Sequence, residues 1–361
     1  MKHTSVIAHI RQICCLGLGG GLIMPTLLKA LHDLVPSDSN AFFWVDENDD
    51  IADICAEKLL PPEVMSLYFR EFYDYKAGGF RSVIARTAKR ELGIDRTNRD
   101  PGFYTSDYYN LVWREHLNAH HVMYAVIQEQ GRRLGQLSLY RSSKDEPYSR
   151  EEGAVLGQVT HYVAYGLTAV PICGNTKERF SDTDGTGLII INARGEIQHV
   201  SKEGKRLLFL ASYATISRQS LLSFDDDAMP PALQQIGQNL QSIFCGLEAP
   251  PPVWNVVNGR GRFVFRAFWL DAKQKAGLGL IGVTIQHQEP LPLRLLSQLK
   301  SWPFTDQQKR VILLLSNGAS YGHVASALNV TTNTANYHVR QIYDRLQVHN
   351  RDAMLDKLLT Q

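Results

Sequence analysis

The segment NVTTNTANYHVRQIYDRL, residues 329–346, constrains the fold more than any other part of the chain. At 3.6 residues per turn, it sorts into an apolar stripe and a polar stripe. These stripes are Ala335, Val339, Ile342 and Leu346 on one side, and Asn333, Asn336, Tyr337 and Arg340 on the other. Asn is a poor helix former, and an ordinary surface helix carries Glu and Lys instead. The pattern predicts a helix that packs on one side and presents polar groups to a partner on the other.

Charge is distributed unevenly along the chain. The 361 residues carry 38 basic and 36 acidic side chains, a formal net charge of +2. From Lys300 to Gln361, however, seven Lys and Arg stand against four Asp and no Glu, a net charge of +3. A small basic unit on a near-neutral body is typical of a nucleic-acid reader whose other partners are not polyanions.

Helix start and stop signals divide residues 302–361 into four short helices. Thr305 followed by Gln308 is a capping-box pattern, and Gly318 ends the helix that this box begins. The later helices begin after the N-cap residues Ser320, Thr331 and Asn350. The sequence therefore predicts an all-α, four-helix domain in this part of the chain.

Residues 304–351 resemble the LuxR-type helix-turn-helix of bacterial transcription regulators. The matching positions are Val311, Leu314, Leu315, Gly318, Ser320, Val324, Ala325, Leu328, Val330, Thr334, His338, Ile342, Leu346, Val348 and Arg351. The resemblance implies that a recognition helix, residues 332–346 or thereabouts, lies in the major groove of double-stranded DNA. The preceding helix then crosses the DNA backbone.

The polar stripe supplies side chains suited to that role, because Asn and Arg contact adenine and guanine with paired hydrogen bonds. From the resemblance we expect contacts with bases or nearby phosphates from Asn333, Asn336, Tyr337 and Arg340. We expect contacts with the DNA backbone from Lys309, Thr331, Thr332, Arg345 and Arg351.

The sequence also departs from the LuxR-type pattern. Gln308 and Arg310 stand where the family usually has acidic residues, so the internal ion pairing of the domain is expected to differ. Asn336 stands where the family usually has Lys, which indicates a different preference for the DNA site.

Assembly follows from the small size of the reader. One such module buries roughly 600–1,000 Å² on DNA, so a monomer should bind weakly. Two DNA-binding domains about 34 Å apart, one helical turn of DNA, would bind more tightly than one. A two-fold homodimer implies a palindromic operator. The last helix has more apolar residues than a small domain needs to bury, so we expect part of the row to face a second copy. The row is Met354, Leu355, Leu358 and Leu359.

The rest of the chain predicts two α+β units with antiparallel sheets and helices. Residues 41–45 indicate a strand, and 121–128 with 133–141 indicate a hairpin around EQGRR. Ser149 is a predicted N-cap for the helix that follows. Residues 130–170 resemble the end of a GAF-type sensory domain.

The second unit has the predicted order of two strands, helices and three strands, which suits one antiparallel sheet with helices on one face. Residues 187–287 are similar to a PAS domain in this order. We therefore predict a GAF-like domain over 1–172, a PAS-like domain over 180–288, a linker over 289–301 and the helix-turn-helix domain over 302–361. Within the linker, LRLLSQLK is predicted to form a short connecting helix.

Aromatic residues are concentrated in the first unit. Tyr and Trp give a small-molecule site apolar walls with polar tips. We predict that they line a cavity for an unknown ligand, with a plain aromatic core as the alternative. The candidate ligand-binding residues are Tyr68, Phe72, Tyr104, Tyr108 and Trp113.

No Walker loop and no kinase signature set is present, so the sequence predicts no enzyme, cofactor or metal site. The apolar run at 13–28 is shorter than a membrane span and is interrupted by Pro25. Five Cys without a CxxC pair indicate a reducing compartment, and hence the cytoplasm. We predict a ligand-responsive transcription regulator. The alternative is a small-molecule-binding or catalytic sensory protein whose C-terminal helices bind another protein.

Overall fold

The computed structural model describes residues 2–74, 79–96, 101–169, 180–192, 196–222, 231–270 and 280–359. The chain divides into two compact units. The first comprises Met1–Ile172 and Tyr213–Ala228, and the second comprises Cys173–Ser212 and Met229–Gln361.

The first unit is built on a five-stranded antiparallel sheet, with spatial order β2-β1-β5-β4-β3. Its strands are β1 (Ser39–Val45), β2 (Ile51–Ala56), β3 (Ile94–Asp95), β4 (His121–Glu129) and β5 (Arg132–Arg141). Its first seven α-helices are α1 (Lys2–Cys14), α2 (Gly20–Leu34), α3 (Pro62–Leu67), α4 (Phe80–Ala88), α5 (Pro101–Tyr104), α6 (Arg150–Gly157) and α7 (Thr160–Thr168). Tyr68–Phe72 and Tyr109–Leu117 are π-helical, and Glu91–Gly93 is a 3₁₀ turn.

The predicted strand and hairpin of this unit are confirmed as β1 and the β4–β5 pair. Ser149 caps α6 through a capping box with Glu152, as its pattern predicts. The helical period after Ser149 gives two helices, α6 and α7, because the chain turns at residues 158–159. Strands β2 and β3 were not predicted from the sequence.

Both faces of this sheet are covered. On one face, Trp44 lies close to Gly20 of α2 and Leu167 of α7 lies against the same glycine. On the other face, Tyr124 and Tyr140 pack in one cluster with residues of α4, α5 and the π-helical segments. Side chains of a strand alternate between faces, so the central strands of this sheet pack on both sides.

The second unit contains another five-stranded antiparallel sheet, with spatial order β7-β6-β10-β9-β8. Its strands are β6 (Phe180–Ile191), β7 (Ile197–Val200), β8 (Val253–Asn258), β9 (Gly261–Leu270) and β10 (Leu280–Pro290). The next helices are α8 (Lys202–Ser212), α9 (Arg218–Leu222), which groups with the first unit, and α10 (Pro231–Phe244). Counted within each unit, both sheets share the order 2-1-5-4-3.

The core of this second sheet lies on one face only, as predicted. Ile189, Phe265 and Val283 of three neighbouring strands are buried together with Leu207 of α8 and Ile236 of α10. The fold class is therefore α+β, with two antiparallel sheets, followed by an all-α domain.

The chain continues from β10 directly into helices. They are α11 (Leu291–Gln298), α12 (Asp306–Ser316), α13 (Tyr321–Leu328), α14 (Thr332–Leu346) and α15 (Arg351–Leu359). Leu291, Leu295 and Leu299 are buried in the same core as the apolar side chains of α12 to α15. The segment predicted as a linker thus contains a helix, α11, which packs on the helical domain and also contacts β6 and β10.

The apolar row of the last helix was predicted to exceed what the domain can bury, and this premise is wrong for three of its four members. Met354, Leu355 and Leu358 are buried in the core of the same chain, where α11 packs against α15. The sequence argument did not count α11 as part of this domain, so it underestimated how much apolar surface the domain buries. Among the described helices, none combines the length and the apolar character that a bilayer crossing requires.

Candidate nucleic-acid interface and sensory cavity

The helix-turn-helix is built from local capping contacts. Ser320 Oγ accepts a hydrogen bond from the backbone N–H of His323 at 3.2 Å and so begins α13. Asn329 adopts a left-handed conformation, with φ of 53°, and ends that helix. Thr331 Oγ1 accepts from the backbone N–H of Thr334 at 3.2 Å and begins α14. The predicted caps at these positions are confirmed, and they fix a short turn between the two helices.

Helix α14 has the two stripes that its sequence predicts. Its apolar side chains are buried against the other helices of the domain: Ala335, Val339, Ile342 and Leu346. The exposed side chains on and before the helix include Thr331, Thr332, Asn333, Tyr337 and Arg340. One face of the helix is therefore polar and exposed.

Asn336 differs from its neighbours on the polar stripe. Its side chain is half-buried, and its Oδ1 atom is buried without a hydrogen-bond partner among the described residues. A paired contact with adenine needs the amide oxygen and nitrogen together. The contact expected from the sequence thus requires the Asn336 side chain to rotate outward.

The basic candidates for DNA-backbone contacts are less exposed than the polar stripe. Lys309 of α12 and Arg351 of α15 are half-buried. Arg345 is exposed, but it donates a hydrogen bond to the carbonyl of Pro303 and lies 5.7 Å from the ring centroid of Phe304. Arg345 therefore also ties α14 to the segment that precedes α12.

Residues 318–322, GASYG, fit the G-x-S-x-G pattern of a hydrolase nucleophile. That chemistry requires a strand-turn-helix in which the serine is held at a strained turn. Here Ser320 joins α12 to α13 as an N-cap, and its oxygen accepts from a backbone amide. The pattern is part of the helix-turn-helix and does not indicate catalysis.

The first unit contains a cavity of about 90 Å³ between its sheet and the covering helices. Tyr68, Tyr108 and Trp113 line it, as predicted from the aromatic cluster. Phe72 and Tyr104 are not in its lining. Phe72 stacks on Tyr108, with ring centroids 5.2 Å apart, and Tyr104 stacks on His120 at 4.3 Å.

The sequence analysis missed the polar side chains in the cavity wall, among them Gln136 and Ser138. Gln136, only 2% exposed, donates from Nε2 to Ser138 Oγ at 3.4 Å. Its Oε1 atom is buried and has no partner among the described residues. The alternation of polar and apolar residues along RRLGQLSLYR places Gln136 and Ser138 on one face of the strand and Leu137 and Leu139 on the other. It does not show that the polar face is also buried.

The cavity favours neutral groups. In its described lining there is no carboxylate and no guanidinium, and the one ammonium group belongs to Lys58, which is exposed. Burial raises the pKa of the Tyr68 hydroxyl well above its usual range, and the neighbouring Tyr108 adds to the effect. The phenol of Tyr68 therefore remains protonated at neutral pH. An unpartnered buried acceptor in this setting suits a ligand that donates a hydrogen bond.

Comparison with known families identifies the helical domain. Residues 303–357 match the family described as "Bacterial regulatory proteins, luxR family". The C-terminal helices thus form a LuxR-family helix-turn-helix, the DNA-binding domain of a transcription regulator. No match was found among curated proteins.

Solved structures give distant likenesses. A GAF domain from a phosphoenolpyruvate-protein phosphotransferase of Coxiella burnetii is 15% identical, with 46% of this chain and 92% of that chain covered and a TM-score of 0.32. The Vibrio cholerae VqmA dimer is 11% identical, with coverage of 50% and 84% and a TM-score of 0.19. The E. coli DhaR(N)–DhaL complex is 12% identical, with coverage of 80% and 90% and a TM-score of 0.23. Likenesses at this level assign neither a ligand nor an operator to this chain.

Proposed function

We propose that the protein is a ligand-responsive transcription regulator. The observation that carries the proposal is the LuxR-family domain, whose helix α14 is buried along one stripe and exposes polar side chains along the other. In this proposal α14 lies in the major groove of an operator and α13 crosses the DNA backbone. The first unit binds a small molecule in its aromatic cavity.

The DNA contacts follow the positions of the side chains. Asn333, Tyr337 and Arg340 are exposed along α14 and contact bases or nearby phosphates, and Asn336 joins them after rotating outward. The DNA backbone is contacted by Lys309, Thr331, Thr332, Arg345 and Arg351. A homodimer brings two such readers to a palindromic operator, with most of its interface supplied by the sensory units.

Arg340→Ala and Asn336→Ala test the assignment of α14. Each is expected to weaken binding to a selected operator by about 1–3 kcal/mol and to relax the base preference at one position per half-site. The measurement is a titration of operators obtained by in vitro selection, followed for wild type and both variants. Gln347→Ala is the matched control, because Gln347 is exposed just after α14 ends. Wild-type affinity in both variants would contradict the assignment.

The ligand of the cavity is expected to be small and neutral. A volume of about 90 Å³ is less than the roughly 150 Å³ apolar cavity that admits benzene, so a compact ligand is expected. Tyr68, Tyr108 and Trp113 supply apolar walls, and Gln136 Oε1 accepts a hydrogen bond from an N–H or O–H group of the ligand.

Gln136→Leu tests this site, because it should stabilise the ligand-free protein while abolishing ligand binding. The variant removes a buried acceptor without a partner, so the ligand-free protein should gain about 1 kcal/mol in its free energy of unfolding. A small molecule that co-purifies with wild type, detected by native mass spectrometry, should be lost. Gln128→Leu is the control, since Gln128 lies exposed on the neighbouring strand β4. Loss of stability with retention of a co-purifying molecule would refute the site.

A further inference from the structure

A chain of hydrogen bonds runs from the start of α12 to the exposed face of α14. The backbone N–H of Thr305 donates to Gln308 Oε1 at 3.0 Å. Gln308 Nε2 donates to Gln341 Oε1 at 3.2 Å, and Gln341 Nε2 donates to the hydroxyl oxygen of Tyr337 at 2.6 Å. Gln308 is buried, whereas Tyr337 is 58% exposed at the far end of the chain.

The direction of every bond in this chain is set by its first member. A backbone N–H can only donate, so the Gln308 atom that faces Thr305 must be the amide oxygen. The amide nitrogen of Gln308 then faces Gln341, and the same rule places the Gln341 nitrogen against Tyr337. The orientation of the two side-chain amides is thereby determined by chemistry, although oxygen and nitrogen have similar shapes.

The orientation of the Gln341 amide determines the hydrogen-bonding role of the Tyr337 hydroxyl. Its oxygen accepts from Gln341, so its own proton points away from that bond and remains available as a donor. No described residue accepts a hydrogen bond from the Tyr337 hydroxyl. Tyr337 and Gln341 are four residues apart on α14 and therefore lie on the same face of the helix. The exposed hydroxyl is thus oriented before any partner arrives.

We infer that Tyr337 is a dedicated hydrogen-bond donor on the DNA-reading face, held in that state by the positioning residues Gln308 and Gln341. The inference rests on the proposed function of α14. Its target is an acceptor oxygen or nitrogen: guanine O6 or N7, adenine N7, thymine O4 or a phosphate oxygen. The amino groups of adenine and cytosine are donors in the major groove, and Tyr337 discriminates against them.

Tyr337→Phe removes the donor and keeps the ring. It is expected to weaken operator binding roughly 3- to 10-fold per recognition helix, the usual effect of one lost hydrogen bond. If the acceptor is a base, the loss disappears on operators altered at one position. If the acceptor is a phosphate, the loss is the same on all sequences and disappears when a methylphosphonate replaces that phosphate.

Gln308→Glu tests the relay itself. Glu can still accept from the Thr305 N–H, so the capping box is retained. Its second oxygen cannot donate, so Gln341 has to turn its nitrogen toward residue 308 and its oxygen toward Tyr337. The Tyr337 hydroxyl then donates to Gln341 and is lost to DNA. We expect Gln308→Glu to weaken binding about as much as Tyr337→Phe, and the double variant to lose no more than either one.

Two further variants separate this effect from charge and from folding. Gln307→Glu adds the same charge on an exposed neighbour in α12, so its effect on affinity measures the charge contribution alone, and Gln308→Glu should weaken binding beyond it. Gln341→Glu leaves two acceptors between Gln308 and Tyr337 and reverses the last bond without touching the capping box. Gln341→Glu should therefore show the loss of affinity expected for Gln308→Glu, and it replaces Gln308→Glu as the test if the latter folds poorly.

The outcomes are distinguishable from failure of the proposed function. Wild type without saturable DNA binding refutes the proposed function and the inference together. Wild type that binds an operator, with Tyr337→Phe equally tight, overturns only the inference. Full additivity of Gln308→Glu and Tyr337→Phe overturns the relay. In the free protein, the side-chain amide protons of Gln341 should also shift in the NMR spectrum of Tyr337→Phe, because they lose their acceptor.

Discussion

The affinity of the protein for its operator is expected to fall on the order of 1,000-fold as monovalent salt rises from about 50 to 200 mM. Each phosphate neutralised by Lys or Arg releases counterions, so affinity follows salt with a logarithmic slope of about −0.9 per contact. Lys309, Arg345 and Arg351 supply three such contacts for each reader in the proposed interface. Two readers therefore give a slope of roughly −5, and a lone reader gives about half of that.

The salt titration also separates a DNA reader from a protein-interaction module. Lys309→Gln should reduce the steepness by about 1 for each reader, while Lys357→Gln, near the end of α15, should leave it unchanged. Binding that hardly responds to salt in this range would favour the interaction module. A slope of about half the expected value would indicate that a single reader occupies the site.

The second large effect concerns the buried stripe of α14. Ile342→Ala is expected to lower the free energy of opening of this helix by about 2–5 kcal/mol, because Ile342 is fully buried and the change leaves a cavity. Amide hydrogen exchange of the peptide spanning 332–346, measured in the full chain, reports this local free energy directly. It avoids the assumption that a chain of several folded units unfolds in two states.

Asn333→Ala is the matched control on the same helix. Asn333 is exposed, so its replacement should change protection by less than about 0.5 kcal/mol. If Ile342→Ala left the exchange of α14 as slow as in wild type, the helix would not depend on the core that its apolar stripe enters.

The helical domain was predictable because its signals are local. The caps at Ser320 and Thr331 and the stripe from Ala335 to Leu346 depend on neighbours within a turn or two, which a sequence displays directly. The capping box of Thr305 and Gln308 belongs to the same class. The hydrogen bond from Gln308 to Gln341 was not predictable in this way, because Gln341 lies 33 positions away and is brought near only by packing.

The two α+β units were harder to predict from the sequence for two physical reasons. Strand β3 has only two residues, Ile94 and Asp95, and forms because β4 supplies a hydrogen-bonding edge. The wall of the cavity depends on both faces of a sheet being covered, and hydrophobic alternation identifies two faces without saying what lies on each. Gln136 was therefore missed as a site residue, although its position in β5 was predicted.

Because α11 follows β10 directly, it affects where the chain can be cut to isolate the helix-turn-helix domain. The family match begins at residue 303, but Leu291, Leu295 and Leu299 complete the core that the match implies. Each buried leucine contributes about 1.5–3 kcal/mol relative to an exposed one. A fragment cut at the family boundary would lack this contribution and leave an apolar seam open to self-association. The core of the helical domain thus extends beyond the residues of the family match, and a truncation that keeps this core intact has to fall before Leu291.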